Sequence, residues 1–233
     1  MRPPYWKTAT SGLGCSDMSE LVRLTFPGRE EWLAGRGRGI GGSEAAAAIG
    51  MSPWKTPLTL WKEKIGAAKA PDLSGNAAVE QGRRMEPAIR AFFMAQHPEY
   101  ELYYGEYDIL FQNDRPWLFA TLDGELTERA TGRKGILEIK TSTIQKSIDW
   151  EKWRDQVPPN YYCQCLHQLL ATVYDFAILY AGLYDYRGNL TFPPLYVFER
   201  SDREADLKWL LEKETAFWQH VEGGTMPAQI LNF

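Results

Sequence analysis

Residues 135–142 read GILEIKTS, and the alternation within them decides how the chain is read. Successive side chains of an extended strand face opposite ways, so Leu137 and Ile139 share one face while Glu138 and Lys140 share the other. The apolar pattern is that of a short buried strand. It nevertheless carries a carboxylate and an ammonium, each costly to remove from water without a partner. Something must compensate them.

Upstream, at 117–126, the chain reads WLFATLDGEL. An apolar strand leads into Asp123, and Gly124 falls at an expected turn. Asp123 and Glu138 then occupy neighbouring ends of paired strands. Two carboxylates aimed at one point repel unless a cation separates them, and hard oxygen donors suit Mg²⁺ or Mn²⁺. Lys140 beside such an ion could hold or deprotonate a water, or neutralise charge building on a phosphate. An exposed strand face with a cross-strand ion pair, next to an ordinary Asp-Gly turn, explains the same residues without chemistry. On these residues alone both readings stand.

The 233-residue chain is 44% hydrophobic and 24% charged, which fits a single globular domain, 1–233, with a full core. Nine Trp and twelve Tyr suit a core, a base-stacking surface or a subunit interface equally well. A net charge of -4 means that any nucleic acid must be met by a locally basic groove on an acidic body. Cys15, Cys163 and Cys165 are odd in number and lack C-x-x-C spacing, which argues against a disulfide framework or a structural zinc site. His97, His167 and His220 form no H-x-x-x-H pair, and His167 is read as structural. With no signal-peptide pattern and no stretch of membrane-spanning length, a soluble cytoplasmic protein without membrane contact is expected.

Along the chain, residues 1–20 are expected to form an irregular arm, and 29–34 a short helix before the basic, Gly-rich run GRGRGIGGSE. Ser43 is placed as the cap of a helix over EAAAAIG. In SPWKTPLTLWKEKIG, Thr56 is the N-cap, Pro57 the first helical residue and Gly66 the residue just past the end. The pattern predicts a long helix over 76–96, with Val79, Met85, Ile89 and Phe93 near one face and Pro87 kinking or restarting it. Strands are expected near 101–111, 117–122, 135–141, 176–183 and 194–199, with helices at 160–172 and 203–221. The fold class is α/β, a central mixed β-sheet flanked by helices.

Four blocks in order resemble one family. Asp123, Glu138 and Lys140 look like the D…ExK core of the PD-(D/E)xK (restriction-endonuclease-like) nuclease superfamily. GIGGSEAAAAIGMSPWKTPLTLWKEKIG resembles the opening signature of the phage lambda exonuclease / YqaJ-type viral recombinase nucleases. GRRMEPAIRAFF is similar to that family's helix with an early metal-site glutamate, here Glu86, and YYCQCLHQLL to its later helix with a glutamine beside the site, here Gln164. D…ExK alone is a weak signal; the ordered set is specific, and it runs from about residue 30 to 175.

The resemblance implies a Mg²⁺-dependent 5′→3′ exonuclease on double-stranded DNA, releasing 5′-mononucleotides and leaving 3′ single-stranded tails for recombination. It implies two Mg²⁺ ions per site, with Mn²⁺ able to substitute, held by Asp123, Glu138 and the main-chain carbonyl of Ile139, with Glu86 contributing from its helix. Lys140 would position or activate the attacking water and Gln164 would orient it; Gln168, one turn on, ranks below Gln164. Arg36, Ser43 and Thr121 match residues that hold a terminal 5′-phosphate, although a flexible basic loop explains Arg36 and Ser43 equally well. Thr121 replaces a serine and Leu166 stands where relatives often carry a second glutamine, which puts fine geometry in doubt. A homotrimeric ring, a single-strand annealing partner and a phage or prophage protein in the bacterial cytoplasm are further implications. A PD-(D/E)xK endonuclease and a non-catalytic DNA-end-binding module are the alternatives.

Overall fold

The computed structural model describes residues 20–73, 75–144, 150–154, 156–192 and 195–228. The expected N-terminal arm, apart from Glu20, and Cys15 with it, lie outside the described residues. The expected mixed α/β architecture with flanking helices is present, and its strands divide between two sheets.

The main sheet is built around β7 (Lys134–Thr143), which contains the opening stretch, and β8 (Phe176–Tyr184). They pair in parallel from Gly135↔Phe176 to Thr143↔Tyr184. The connection between them includes α5 (Pro159–Thr172). A parallel pair covered on both faces needs apolar residues throughout, and β8 reads FAILYAGLY, buried from Phe176 to Leu183. Antiparallel partners complete the sheet: β6 (Gly124–Glu128) on β7, β3 (Tyr100–Tyr103) on β6, and β10 (Tyr196–Glu199) with the short β9 (Leu190–Thr191) on β8.

The predicted alternation of β7 is realised. Leu137 and Ile139 pack against Ile89 and Phe93 of α4 (Ala77–Gln96), while Ile136 faces Leu166, Leu169 and Leu170 of α5. Helix α4 runs unbroken through Pro87, contrary to the expected restart. An interior proline costs about 3 kcal/mol. Burying Ile89 and Phe93, 1% and 0% exposed, contributes roughly 1.5–3 kcal/mol each and offsets it.

The second sheet has the order β1-β4-β5-β2, from β1 (Leu21–Thr25), β4 (Asp108–Gln112), β5 (Leu118–Ala120) and β2 (Ile40–Gly41). The single strand expected near 101–111 is thus two strands belonging to different sheets. Helix α1 (Arg29–Arg36) precedes β2, and α2 (Gly42–Ala48) follows it directly. Ser43 is therefore not the cap. Gly41 holds that position, and its N–H is satisfied by Glu44 Oε2 at 3.1 Å. The next helix, α3 (Pro57–Lys64), forms as expected, with Thr56 Oγ1 accepting from Thr59 N–H at 3.2 Å and Gly66 taking φ +76° past its end. The last helix, α6 (Glu204–Glu222), packs Leu207 and Leu210 into the core with α5.

One arginine joins the two sheets. Arg23 of β1 donates to Asp108 of β4 at 2.7 Å and to Glu125 of β6 at 2.5 Å. Thr25 adds a bond to Asp108 and Tyr174 one to Glu125, at 2.6 and 2.7 Å. Burial works against ionisation of both carboxyls, but these hydrogen bonds outweigh it and hold both below their ordinary range.

Candidate active site

The chain changes sheets between β5 and β6, and Asp123 sits at that changeover. Gly124 is not a turn residue, as its sequence context suggests. It starts β6 opposite Leu137, so one step beyond in the antiparallel register Asp123 lies across from Glu138. Asp123 Oδ2 accepts from Ile139 N–H at 2.8 Å. In a strand the N–H and C=O of one residue lie on the same edge, which turns the Ile139 carbonyl toward the same space.

Glu138 is 1% exposed, and both its oxygens are engaged. Lys140 Nζ lies 2.5 Å and Gln164 Nε2 2.6 Å from Oε1, while Gln168 Nε2 donates to Oε2 at 2.5 Å. This compensates the buried charges of the opening stretch: an ammonium on the same strand and two amides from α5 surround the carboxylate. Gln168, ranked below Gln164 on sequence, is its equal here. Burial pulls the Lys140 pKa down, yet Glu138 and Asp123 outweigh it and hold the ammonium above its ordinary range.

Glu86 of α4 lies on the wall of a groove it shares with Ile139 and Lys140. Its Oε1 meets Arg90 Nη2 at 2.5 Å, and Arg90 Nε donates to the main-chain oxygen of Asp123 at 2.6 Å. The guanidinium also stacks 3.5 Å over the Tyr104 ring. Arg90 thus fastens α4 to the Asp123 backbone, a role the sequence reading misses. Its position one turn beyond Glu86, in an (i, i+4) pair, was the available signal.

Among the described residues, no three His, Cys, Asp or Glu side chains close into a preformed metal cage. Asp123 and Glu138 converge, while Glu86 is drawn to Arg90. The donor chemistry still fits a hard divalent cation, since three carboxylates and a main-chain carbonyl provide oxygen only. Burial pushes the Asp123 carboxyl well up, and Glu138 and Glu86 push it further, against the pull of Lys140 and the Ile139 N–H. Burial also raises Glu86, with Arg90 opposing and Glu138 reinforcing the shift.

Arg36, at the end of α1, places Nη2 3.5 Å from Ser43 Oγ and its guanidinium 4.6 Å over the Trp32 ring. Burial pulls its pKa down against the attraction of Glu44 and Asp123. Arg36 and Ser43 therefore form a pair. Thr121 meets Gln168 through its carbonyl, 3.4 Å from Nε2; among the described residues its hydroxyl bonds to neither Arg36 nor Ser43. Helix α2 presses on α5 at Gly42, where a Cβ would lie 3.1 Å from Gln164 Cγ and 3.3 Å from Gln168 Cγ.

His167 lies in the core at 0% exposure, as the structural reading expects. Its Nδ1 lies 2.7 Å from Glu214 Oε1 of α6 and its Nε2 2.9 Å from the Phe119 carbonyl. Burial disfavours the imidazolium, but Glu214 outweighs it and raises the pKa. Helix α5 is thereby tied to α6 and to β5, and it carries Gln164 and Gln168 at a fixed height above Glu138. Cys163 and Cys165 are buried and unbridged.

Residues 31–175 match the family model of the YqaJ-like viral recombinase domain. The chain is 29% identical over 219 residues to the uncharacterized protein YqaJ of Bacillus subtilis strain 168, covering 89% of this chain and 61% of that protein. It therefore spans about three fifths of the length of that relative. Among solved structures, the alkaline exonuclease LHK-Exo from Laribacter hongkongensis matches at 20% identity with a TM-score of 0.61, over 84% of this chain and 94% of that one. LHK-Exo in complex with dAMP matches over the same shares at a TM-score of 0.63. At such identity the likeness is one of fold.

Proposed function

Because the chain belongs to the YqaJ-like viral recombinase domain family, we propose that it is a Mg²⁺-dependent exonuclease that degrades one strand of duplex DNA from its 5′ end. The products would be 5′-mononucleotides and a 3′ single-stranded tail for recombination. The observation that carries this reading is the placement of Asp123 opposite Glu138, with Lys140 Nζ 2.5 Å from the Glu138 carboxylate. The name of LHK-Exo, an alkaline exonuclease, directs the choice of reaction within the shared fold.

Asp123, Glu138 and the Ile139 carbonyl would hold the cation, with Glu86 contributing through a water. When bound, two Mg²⁺ ions, or Mn²⁺ in their place, would supply positive charge at the phosphate and a more acidic water. Lys140 would direct a remaining N–H at the attacking water or a non-bridging phosphate oxygen. Gln164 and Gln168 fix the Glu138 carboxylate, which sets the direction from which that water is held. Hydrolysis would proceed directly by water without a covalent enzyme intermediate, consistent with the lack of a Ser–His or Cys–His pair in this groove among the described residues. Arg36, Ser43 and Thr121 would receive the terminal 5′-phosphate.

The same reading assigns a homotrimeric ring around the DNA, a single-strand annealing partner, and action in the cytoplasm of a bacterial host on behalf of a phage or prophage. No described helix is long and apolar enough to cross a membrane.

The test uses three DNAs, each with and without Mg²⁺: linear duplex with 5′-phosphate, linear duplex with 5′-hydroxyl, and closed circles. Mg²⁺-dependent loss of the phosphorylated linear duplex, with circles intact, is expected. Cutting of circles would make the protein an endonuclease, and inertness towards all three would leave a DNA-end-binding module. Arg36→Ala should reduce the preference for 5′-phosphate over 5′-hydroxyl ends by about tenfold or more, the range of a lost charge-assisted contact. An unchanged preference would remove Arg36 from end recognition.

A further inference from the structure

Two grooves meet at one exposed ring. The first, about 420 Å³, contains Glu86, Ile139 and Lys140 and ends against Trp54 and Tyr161. The second, about 450 Å³, shares those two rings and continues along Ser142 and Thr143, at the far end of β7, towards Lys152 and Trp153. Their contents differ in kind. Glu86 contributes a carboxylate to the first, whereas the described lining of the second includes no Asp or Glu; it offers rings, prolines, hydroxyls and one lysine.

Trp54 is 74% exposed, an unusual state for an indole. Its backbone is nonetheless held in place: Ser52 Oγ accepts from Trp54 N–H at 3.2 Å and from Lys55 N–H at 3.3 Å. Lys55 Nζ is in turn fixed by Glu63 of α3 at 2.5 Å. Tyr161, the other shared ring, lies 5.3 Å from Lys140 Nζ. A flat apolar ring on a pinned turn, with no aromatic or cationic partner among the described residues, is preorganised for a flat ligand.

We propose that Trp54 is a base-stacking platform for the strand that is not cut. An unpaired nucleobase of that strand stacks on the indole, and its backbone follows the second groove past Tyr161 and Lys152. The assignment to the uncut strand follows from charge: a strand in the second groove meets none of the carboxylates that hydrolysis needs. Grooves for single strands combine aromatic faces with scattered cations, and stacking tolerates any base because every base has a π-face. The proposal rests on reading the first groove as the hydrolytic site.

The experiment uses the full chain without divalent metal, and duplex DNA with a short 3′ overhang carrying 2-aminopurine. In one substrate the fluorophore is the first unpaired base of the overhanging strand; in the other it is the 5′-terminal base of the recessed strand. Wild-type protein should quench the first probe, Trp54→Ala should not, and Trp54→Phe should restore most of the quenching. Affinity for the overhang duplex should fall about tenfold or more in Trp54→Ala, the range of one lost stacked base, with blunt duplex affected less. Equal quenching by wild type and Trp54→Ala would overturn the proposal, as would a Trp54-dependent signal confined to the recessed strand. Wild-type digestion in Mg²⁺ is scored separately. Digestion without Trp54-dependent stacking sinks the platform alone, and stacking without digestion sinks the hydrolytic reading.

Discussion

Asp123→Asn and Lys140→Met should each slow Mg²⁺-dependent digestion by about 100- to 1000-fold or more, the range for removing one preorganised charge from a phosphoryl or acyl transfer site. The asparagine variant isolates charge from geometry. Its side-chain oxygen can still accept from Ile139 N–H, as Asp123 Oδ2 does at 2.8 Å, so the turn from β5 into β6 is retained. Only the negative charge is lost. Lys140→Met keeps the apolar stem but leaves Glu138, 1% exposed, with two neutral amides and no cation. That variant should also melt at a lower temperature than wild type, whereas Asp123→Asn should not, because removing one of three crowded carboxylates relieves repulsion. Single-turnover digestion, end binding without metal and thermal melting, measured on the same preparations, separate these effects. Digestion by Asp123→Asn within a few fold of wild type would exclude a metal-holding role for Asp123.

Arg23→Met should destabilise the fold by roughly 2–4 kcal/mol. Breaking a buried ion pair from one side typically costs about 3–5 kcal/mol, and the Arg23 side chain, 32% exposed, lies toward the lower end. Two carboxylates, Asp108 and Glu125, would lose their common cation at once, and with it the bridge between the sheets. The pH dependence gives the sign. Both carboxyls are held below their ordinary range in the folded protein, so each contributes stability that is present above its unfolded pKa, about 3.9 for Asp and 4.3 for Glu. That contribution is lost as pH falls through the lower folded values. The melting gap between wild type and Arg23→Met should therefore be constant from about pH 5 to 7 and shrink below about pH 4. A gap that persists undiminished in acid would mean that Arg23 acts through packing of its stem instead of its charge.

How far the sequence carries can be judged from particular residues. The Glu-x-Lys strand, the Thr56–Pro57 helix start and the helix over 160–172 were legible because each is encoded within a few neighbouring residues: a two-residue alternation, a cap followed by proline, an apolar helical stripe. The second sheet was not. LVRLT at 21–25 has a charged centre, and its partner DILFQ lies more than eighty residues away, so nothing local marks it as a strand. GELTE at 124–128 resembles a turn because of its glycine, and becomes a strand because β3 and β7 pair with it on both sides. Pro87 does not break α4 because its cost is local, while the burial that offsets it involves residues from β7 and β8. In the candidate site, Asp123, Glu138 and Lys140 could be named from their spacing. That Gln168 matches Gln164, and that Arg90 spans from Glu86 to the Asp123 backbone, depends on how α5 and α4 pack against β7 and the start of β6, which no local pattern encodes.

A flexible basic loop is one of the two sequence readings of the glycine-rich run that leads into α2. At Gly39 a Cβ would come within 2.3 Å of the Trp117 carbonyl, and at Gly42 within 3.1 Å of Gln164. The run is thin, not slack. With clearance for little more than a hydrogen atom, α2 has no independent play against α5, and Ser43 travels with the two amides that steer Glu138. On the proposed reading, seating the tip of a strand and aligning the bond to be broken would therefore be geared together, and a terminus lodged one phosphate out of step would be felt at the carboxylate itself.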